Sequence, residues 1–477
     1  MKAVSARDGQ FKLKVKAKAS RVTDEQCDNI QDTIKICPVN LKDDTNAGLS
    51  LRTAIDYSSP ETGVYNIVKE DMPICQQTCP VHLDIRGYVG LIADGKFEES
   101  LALIRQRLPF PGICGRICTH PCELACNRGV QDEPIAIRSL RRFVTDLEIT
   151  KGKKPRVVAP ATRKERVAVI GAGPAGLTCA HDLALLGYQV TVFEALPVVG
   201  GMLHVGVPEY RLPRDIIKRE VDAIRDLGVE IKTNTPVGKD LTIDKLFGQG
   251  FKTVFVAVGA HRSQKLGVPG EDAPGVTPGV DFLRALNLGQ KPKVGDKVAV
   301  IGGGNVAIDA ARSALRVGAK KVFILYRRTR QEMPATREEI EAAEEEGIEL
   351  QYLVAPVEVV ASNGKVSALR CNRMELGEPD ASGRRRPMPI KGSEFDIELD
   401  TIIPAIGQAI DLSFNAGSSG IETVRGNALQ VDLETLATTR AGVFAGGDAV
   451  TGPATAIEAI AAGHRAANSI VKYLDGA

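Results

Sequence analysis

From residue 166 to the C-terminus, short apolar runs alternate with stretches whose apolar positions recur at three and four. The runs Val167-Ala-Val-Ile170, Gln189-Val-Thr-Val-Phe193, Val298-Ala-Val-Ile301 and Lys321-Val-Phe-Ile-Leu-Tyr326 predict strands, with helices between them. That alternation argues a doubly wound α/β architecture. Upstream, Ile85, Tyr88, Val89 and Ile92 share one helical face, and Phe97, Leu101, Ile104 and Leu108 share a second. Gly95 separates them, so residues 82–108 read as a helical hairpin. Residues 11–19 alternate apolar residues with lysine, the period of a half-buried strand. It is either an edge strand of the chain's own fold or a strand added to a partner's sheet. Residues 20–70 are polar and weakly periodic, and the charged, proline-containing stretch from Lys151 to Arg166 reads as a linker.

The segment Val-Ala-Val-Ile-Gly occurs twice, at 167–171 and 298–302, so two Rossmann-like units are expected. The first reads Gly171-Ala-Gly173-Pro174-Ala175-Gly176, and its second strand ends on Glu194. Here Gly171 serves the tight turn, Gly173 the approach of a pyrophosphate, and Gly176 close helix–strand packing. Glu194 would accept ribose hydroxyl protons. The second reads Gly302-Gly-Gly304-Asn305-Val306-Ala307, and its second strand ends at Tyr326-Arg327-Arg328 without a carboxylate. A guanidinium pairs with a ribose 2′-phosphate where a carboxylate would repel it, so NADPH is expected over NADH. The bland alternative is a solvent-facing arginine pair that selects nothing. A hydride leaving a nicotinamide needs an acceptor nearby, which suggests FAD in the first site.

At 477 residues the chain has room for about three domains. Its 61 basic and 59 acidic residues leave a charge of +2, so no global field favours nucleic acid or an acidic membrane. The N-terminus is lysine-rich without a secretory apolar core, and no run approaches the ~20 apolar residues of a membrane span. A cytoplasmic protein is expected, where clustered cysteines favour metal over disulfides.

Eight of the ten cysteines precede residue 127. Cys75, Cys79 and Pro80 are followed, after the helical hairpin, by Cys114, Cys118, Cys122 and Cys126. One helix cannot bring the last four to a single ion. Each step of four drifts about 40° and climbs about 6 Å, and Pro121 interrupts the ladder. The cysteines must therefore be shared between centres. A structural zinc site is the alternative; the Cys-Pro ending and the downstream nucleotide sites point to iron–sulfur.

The run Gly446-Gly447-Asp448 and the alanine-rich helix after Ala454 resemble the two-dinucleotide-binding flavoproteins of the glutathione-reductase and thioredoxin-reductase type. The resemblance implies that Asp448 binds the flavin ribityl-pyrophosphate and that Thr455 and Ala456 open a helix aimed at the isoalloxazine. It also implies an NADP domain inserted into the FAD domain. One departure stands out. Those reductases carry a redox-active cysteine pair beside the flavin, whereas Cys179 and Cys371 here are single and far apart.

The cysteine block and Gly200-Gly201-Met202-Leu203-His204-Val205-Gly206 resemble the small-subunit family of NADPH-dependent glutamate synthase. Its relatives are dihydropyrimidine dehydrogenase and the reduced-ferredoxin:NADP oxidoreductases, and the similarity covers about residues 70–477. The implied organisation is an N-terminal extension (1–69), a helical [4Fe-4S] domain (70–150), a linker (151–165), an NADP domain (286–402) and an FAD domain in two parts (166–285 and 403–477). Gly201, Leu203, Gly259 and Gly447 complete the implied FAD contacts. Two [4Fe-4S] clusters are implied, one on Cys79, Cys118 and Cys122 and the other on Cys75 and Cys126. No cysteine lies between Asn66 and Ile74, where relatives commonly have two, and Arg141 falls at a downstream ligand position although it cannot ligate. Eight cysteines suffice for two clusters if Cys114 completes the first and Cys27 and Cys37 fold back to complete the second.

The expected function is an electron-transfer oxidoreductase subunit. It would pass hydride from NADPH to FAD and single electrons through the clusters, to or from a partner redox subunit or ferredoxin in a hetero-oligomeric complex. The alternatives are a flavin-based bifurcating ferredoxin:NADP oxidoreductase subunit, a non-catalytic relay or scaffold, and a zinc-stapled diaphorase. Hydride transfer needs positioning more than acid–base help, so no histidine or glutamate is expected as a general catalyst.

Overall fold

The structure, a computed structural model, describes residues 72–152, 163–380, 383–416, 420–424 and 426–476, with the backbone of short strands among the first 71. Gln10–Lys14 pairs antiparallel with Ala3–Arg7, so this part of the lysine-alternating run finds its partner within the chain. Positions 15–19, Cys27 and Cys37 lie outside the described residues. Two compact units divide the chain: Met1–Cys79 with Pro121–Ile135, and Pro80–His120 with Ala136–Ala477.

In the first unit, the short helices Ile74–Gln77 and Pro121–Leu124 pack together. The second unit begins with four helices: α1 (Ile85–Ala93), α2 (Phe97–Arg105), α3 (Pro111–Ile117) and α4 (Ile137–Thr150). Asp84 caps α1 by accepting the Gly87 N–H, and Gly95 takes φ +74° in the turn before α2. Tyr88, Ile104, Leu108, Phe110 and Ile113 are buried between the helices, the burial that the apolar periodicity demands. α3 lies against α4.

Then two Rossmann-like sheets follow. The first has five parallel strands in the order Glu230–Lys232, Gln189–Phe193, Arg166–Ile170, Phe251–Val256, Val443–Ala445. Its fifth strand thus comes from beyond the second sheet in sequence. That second sheet is Glu349–Tyr352, Lys321–Tyr326, Lys297–Ile301, Thr401–Pro404, again parallel. The helices used below are α5 (Pro174–Leu185), α6 (Arg214–Arg225), α7 (Gly279–Asn287), α8 (Asn305–Arg316), α9 (Arg337–Glu345) and α10 (Ala456–Leu474). α10 packs tightly on α5: a Cβ on Gly463 would sit 2.5 Å from the Ala175 carbonyl oxygen. The strand–helix alternation does not anticipate a third, antiparallel sheet. It is built from Val354–Ser362, Lys365–Pro379, Arg385–Pro389 and Phe395–Glu398, between the last two strands of the NADP-type sheet in sequence.

Candidate cofactor site

Gly171 leaves the first strand at φ +103°, and a Cβ there would lie 2.4 Å from the Ala257 carbonyl oxygen. At Gly176 it would lie 2.0 Å from the Gly171 oxygen, so this third glycine is a packing position. Gly173 differs: nothing stands within 4 Å of its Cβ position. The turn is closed on the protein side and open on the other, at the N-terminus of α5, where unpaired N–H groups favour an anion. That cradle fits a dinucleotide pyrophosphate.

A cavity of ≈ 740 Å³ opens there. Gly171, Gly173, Pro174, Ala175 and Glu194 line it from the first fingerprint, and Gly201, Leu203 and Gly259 from the loops that follow. From the C-terminal segment come Gly447, Asp448, Thr455 and Ala456. Glu194 is only 6% exposed and accepts the N–H groups of Ala172 (2.7 Å) and Leu196 (2.8 Å). Burial pushes its carboxyl pKa up, against the pull of those N–H donors. Burial likewise pushes Asp448 up to about 6, with the Ala454 N–H pulling it down and Glu458 adding to the rise. Thr455 and Glu458 form a capping box at the start of α10.

The second fingerprint repeats the logic. Gly302 sits at φ +146° with its Cβ position 2.3 Å from the Ala405 oxygen, while the nearest atom to that of Gly304 is 3.8 Å away. Ala307 is buried under the helix. Asn305 and Val306, at the start of α8, line the same cavity as the first fingerprint. The two arginines at the end of the second strand do not act as a pair. Arg327 is exposed, whereas Arg328 is 4% exposed and donates to Asp380 (2.5 Å) and to the Arg385 carbonyl (2.7 Å).

Cys114 lies buried on α3 and Cys118 caps its C-terminal end. Ile117 and Thr119, on either side of Cys118, both line the cavity. Guanidinium groups from α4 hold this segment: Arg141 donates to the Cys114 carbonyl and Arg138 to that of Cys118, each at 3.3 Å. Arg141 is buried, and its guanidinium reaches backbone. Cys75, Cys79, Cys122 and Cys126 belong to the other unit, with Cys79 and Cys122 buried and Cys75 and Cys126 partly exposed. Among the described residues, no three His, Cys, Asp or Glu side chains gather as around a single metal ion. Cys179 and Cys371 are fully buried; burial pushes both thiols up, that of Cys371 to about 12.

Sequence reasoning misses Ile117, Thr119 and Glu220. The first two carry no motif of their own. Glu220 has a signal: it falls on the apolar face of α6, with Ile216, Ile217, Val221 and Ile224. Both its oxygens accept N–H groups of α3, from Gly112 and Ile113.

Residues 165–463 match the family model of the pyridine nucleotide-disulphide oxidoreductases, and residues 68–153 match dihydropyrimidine dehydrogenase domain II, 4Fe-4S cluster. The chain is 52% identical over 424 residues to the beta subunit of the NADP(+)-dependent formate dehydrogenase of Moorella thermoacetica, covering 84% of this chain and 60% of that protein. It is 44% identical over 438 residues to the NADPH-Fe(3+) oxidoreductase subunit beta of Geobacter sulfurreducens, covering 86% and 65%. The chain therefore spans less than two thirds of either protein. With the glutamate synthase [NADPH] small chain of Escherichia coli it shares 35% identity over 420 residues, 84% of this chain and 89% of the other. Among solved structures, Mycobacterium tuberculosis FprA in complex with NADPH superposes with a TM-score of 0.57 at 20% identity, over 66% of this chain and 85% of FprA. The thioredoxin reductase of T. acidophilum gives 0.50 at 23%, over 66% and 99%. Both share the fold. Among the described residues no helix is long and apolar enough to cross a membrane.

Proposed function

The chain belongs to the pyridine nucleotide-disulphide oxidoreductase family and carries an iron–sulfur domain, and from that premise we propose that it is the NADPH-oxidising, electron-distributing subunit of a larger redox complex. As a member it is an oxidoreductase that binds FAD and NADP(H) and holds [4Fe-4S] clusters. One observation carries the rest. The cavity lined by the first fingerprint is also lined by Asn305 and Val306 of the second, and by the residues on both sides of Cys118. Nucleotide, flavin and cluster thus have reason to meet on one wall.

Each residue's task follows from its place. The open face of Gly173 and the N-terminus of α5 would take the flavin pyrophosphate, and Glu194 the adenosine ribose. Asp448, Thr455 and Ala456 would hold the far end. Gly304 with α8 would take the NADP pyrophosphate. Arg327 is the exposed cation for the 2′-phosphate, while Arg328 is tied to Asp380 and to the Arg385 carbonyl. When bound, FAD supplies the exchange between a two-electron hydride and the single electrons that clusters carry. Buried Leu203 helps keep water from that exchange. Cys79, Cys118 and Cys122, with Cys114, would ligate one cluster, and Cys75 and Cys126, with Cys27 and Cys37, the other.

The relatives are named as subunits of formate dehydrogenase, an Fe(3+) oxidoreductase and glutamate synthase, which supports a redox partner in general. The finer reading is docking on a larger redox subunit or a ferredoxin in a hetero-oligomer. The test is anaerobic addition of NADPH to the purified holoprotein. Bleaching of both the flavin band and the broad iron–sulfur absorbance is expected. A protein with its FAD in place that NADPH leaves unbleached would instead be a relay or scaffold.

A further inference from the structure

The buried face of α6 reads Ile216, Ile217, Glu220, Val221, Ile224. A carboxylate in that company, 3% exposed, is costly unless its oxygens are satisfied. They are satisfied by α3: Oε1 accepts the Gly112 N–H at 2.5 Å and Oε2 the Ile113 N–H at 3.1 Å. First-turn amides have no partner inside their own helix, and negative charge is favoured at that end. The local N-cap residue of α3, Phe110, supplies no side-chain acceptor, so the cap comes from 108 residues away.

Gly112 makes the approach possible. A Cβ there would lie 2.9 Å from Glu220 Oε1 and 3.0 Å from Thr145. The charged neighbours are already engaged. Arg105 and Arg219 bond to Glu148, and Arg116 bonds to Asp146. At its other end α3 runs into Cys118, whose carbonyl and that of Cys114 accept from Arg138 and Arg141. The seven-residue helix is gripped at both ends, by a carboxylate from the FAD domain and by guanidinium groups from α4.

We propose that Glu220 is a positioning residue for electron transfer: it clamps α3, and with it Cys118, to the FAD domain, and its buried negative charge lowers the reduction potential of the cluster that Cys118 holds. This rests on the cofactor reading above. A neutral amide offers one acceptor oxygen for the two N–H groups, whereas the carboxylate offers two and adds a charge that acts on the cluster through Coulomb's law.

The experiment compares full-length holoprotein with Glu220→Gln and Glu220→Asp at alkaline pH, where the carboxyl is ionised. Glutamine can accept one N–H but turns its NH2 towards the other, so it loses both charge and clamp. Glu220→Gln is expected to keep its FAD and iron, and NADPH should reduce its flavin at the wild-type rate. Its cluster potential should rise, flavin-to-cluster transfer should slow by about tenfold or more, as misplacement of reacting groups does, and the Gly112 and Ile113 amides should exchange faster. Glu220→Asp restores the charge on a shorter arm, so it should recover the potential while transfer stays slow. Wild-type potential and transfer in Glu220→Gln would reduce Glu220 to an ordinary helix cap. If Glu220→Gln does not fold, Glu220→Asp decides: slowed transfer at wild-type potential upholds the clamp, and unchanged transfer overturns it. Wild-type protein without iron, or with clusters that NADPH does not bleach, sinks the cofactor reading instead, whatever the variants do.

Discussion

Arg211 donates one guanidinium nitrogen to both carboxylate oxygens of Asp309, at 2.9 and 2.7 Å. The arginine lies just before α6 of the FAD domain, and the aspartate lies on α8 of the NADP domain. Both line the cofactor cavity. The contact continues outwards as a lattice. Arg211 also reaches Glu339 on α9, Arg312 joins Glu339 to Glu346, and Arg316 closes on Glu346. The ring of Tyr210 lies under Arg312 and Arg316, at 4.8 and 4.1 Å. The angle between the two nucleotide domains is therefore held by charges, beside the cavity that both domains line.

Cutting that lattice on one side leaves a charge stranded. Arg211→Gln keeps some packing but deprives buried Asp309 of its cation, and should cost about 3–5 kcal/mol. Asp309→Asn keeps an acceptor and should cost less. Denaturant unfolding of the flavin-loaded proteins measures both, and reduction by NADPH should slow in Arg211→Gln at unchanged FAD content. Stability within about 1 kcal/mol of wild type would mean that the lattice is ornamental.

The glycines separate fold from function. Gly173 faces open space and a Cβ on Gly304 would meet only Pro334, at an ordinary 3.8 Å, so an added methyl group costs the empty fold little, within about 0.5 kcal/mol. It would, however, stand where the proposed function brings a pyrophosphate. Gly173→Ala is expected to fold without FAD, and Gly304→Ala to keep FAD and lose affinity for NADPH. Gly176→Ala, with its Cβ 2.0 Å from the Gly171 oxygen, should lose stability first. Flavin absorbance and unfolding midpoints on the three proteins distinguish these outcomes; a yellow Gly173→Ala contradicts the assignment.

Glu194 and both glycine turns were legible because a strand, a tight turn and a helix are contiguous, so spacing alone fixes their geometry. Asp448 was legible only through resemblance, since the strand that leads to it, Val443–Ala445, pairs with Phe251–Val256, far away in sequence. Arg327 and Arg328 read as a pair in sequence, yet successive side chains leaving a strand point to opposite sides. One meets solvent and the other Asp380. Glu220 was hidden for a further reason. Its amide partners lie 108 and 107 residues away, and only the helical face it shares with Ile216, Ile217 and Ile224 hinted that it was buried.

The arginine pair gives a selectivity test. If Arg327 holds the 2′-phosphate as proposed, replacing it with leucine removes a charge-assisted contact worth about 1.5–3 kcal/mol, and preference for NADPH over NADH should fall roughly 10- to 150-fold. Arg328→Leu instead removes the buried guanidinium's bonds to Asp380 and the Arg385 carbonyl and should cost stability, about 1.5–3 kcal/mol. Steady-state kinetics with both nucleotides, beside thermal unfolding, checks the division. If Arg328→Leu alone collapses the preference while Arg327→Leu does not, the roles are reversed.

Glu220 also sets a pH signature on stability. Burial pushes its carboxyl from 4.5 to about 7, with the Gly112 and Ile113 amides, Arg105 and Arg116 pulling the other way. The folded chain thus holds this proton more tightly than the unfolded chain. The stability this contributes is complete below pH 4.5 and is lost as the pH rises through about 7. At about 1.4 kcal/mol per unit, the loss across that window is about 3 kcal/mol. Glu220→Gln has no proton to lose, so its stability lacks this component. The measurement is the wild-type minus Glu220→Gln difference in unfolding free energy, followed from about pH 5 to about pH 8. It should shift against the wild type by about 3 kcal/mol, because every other titrating group is common to both proteins and cancels. A flat difference would place the carboxyl's ionisation well outside this window and remove the pH dependence from Glu220.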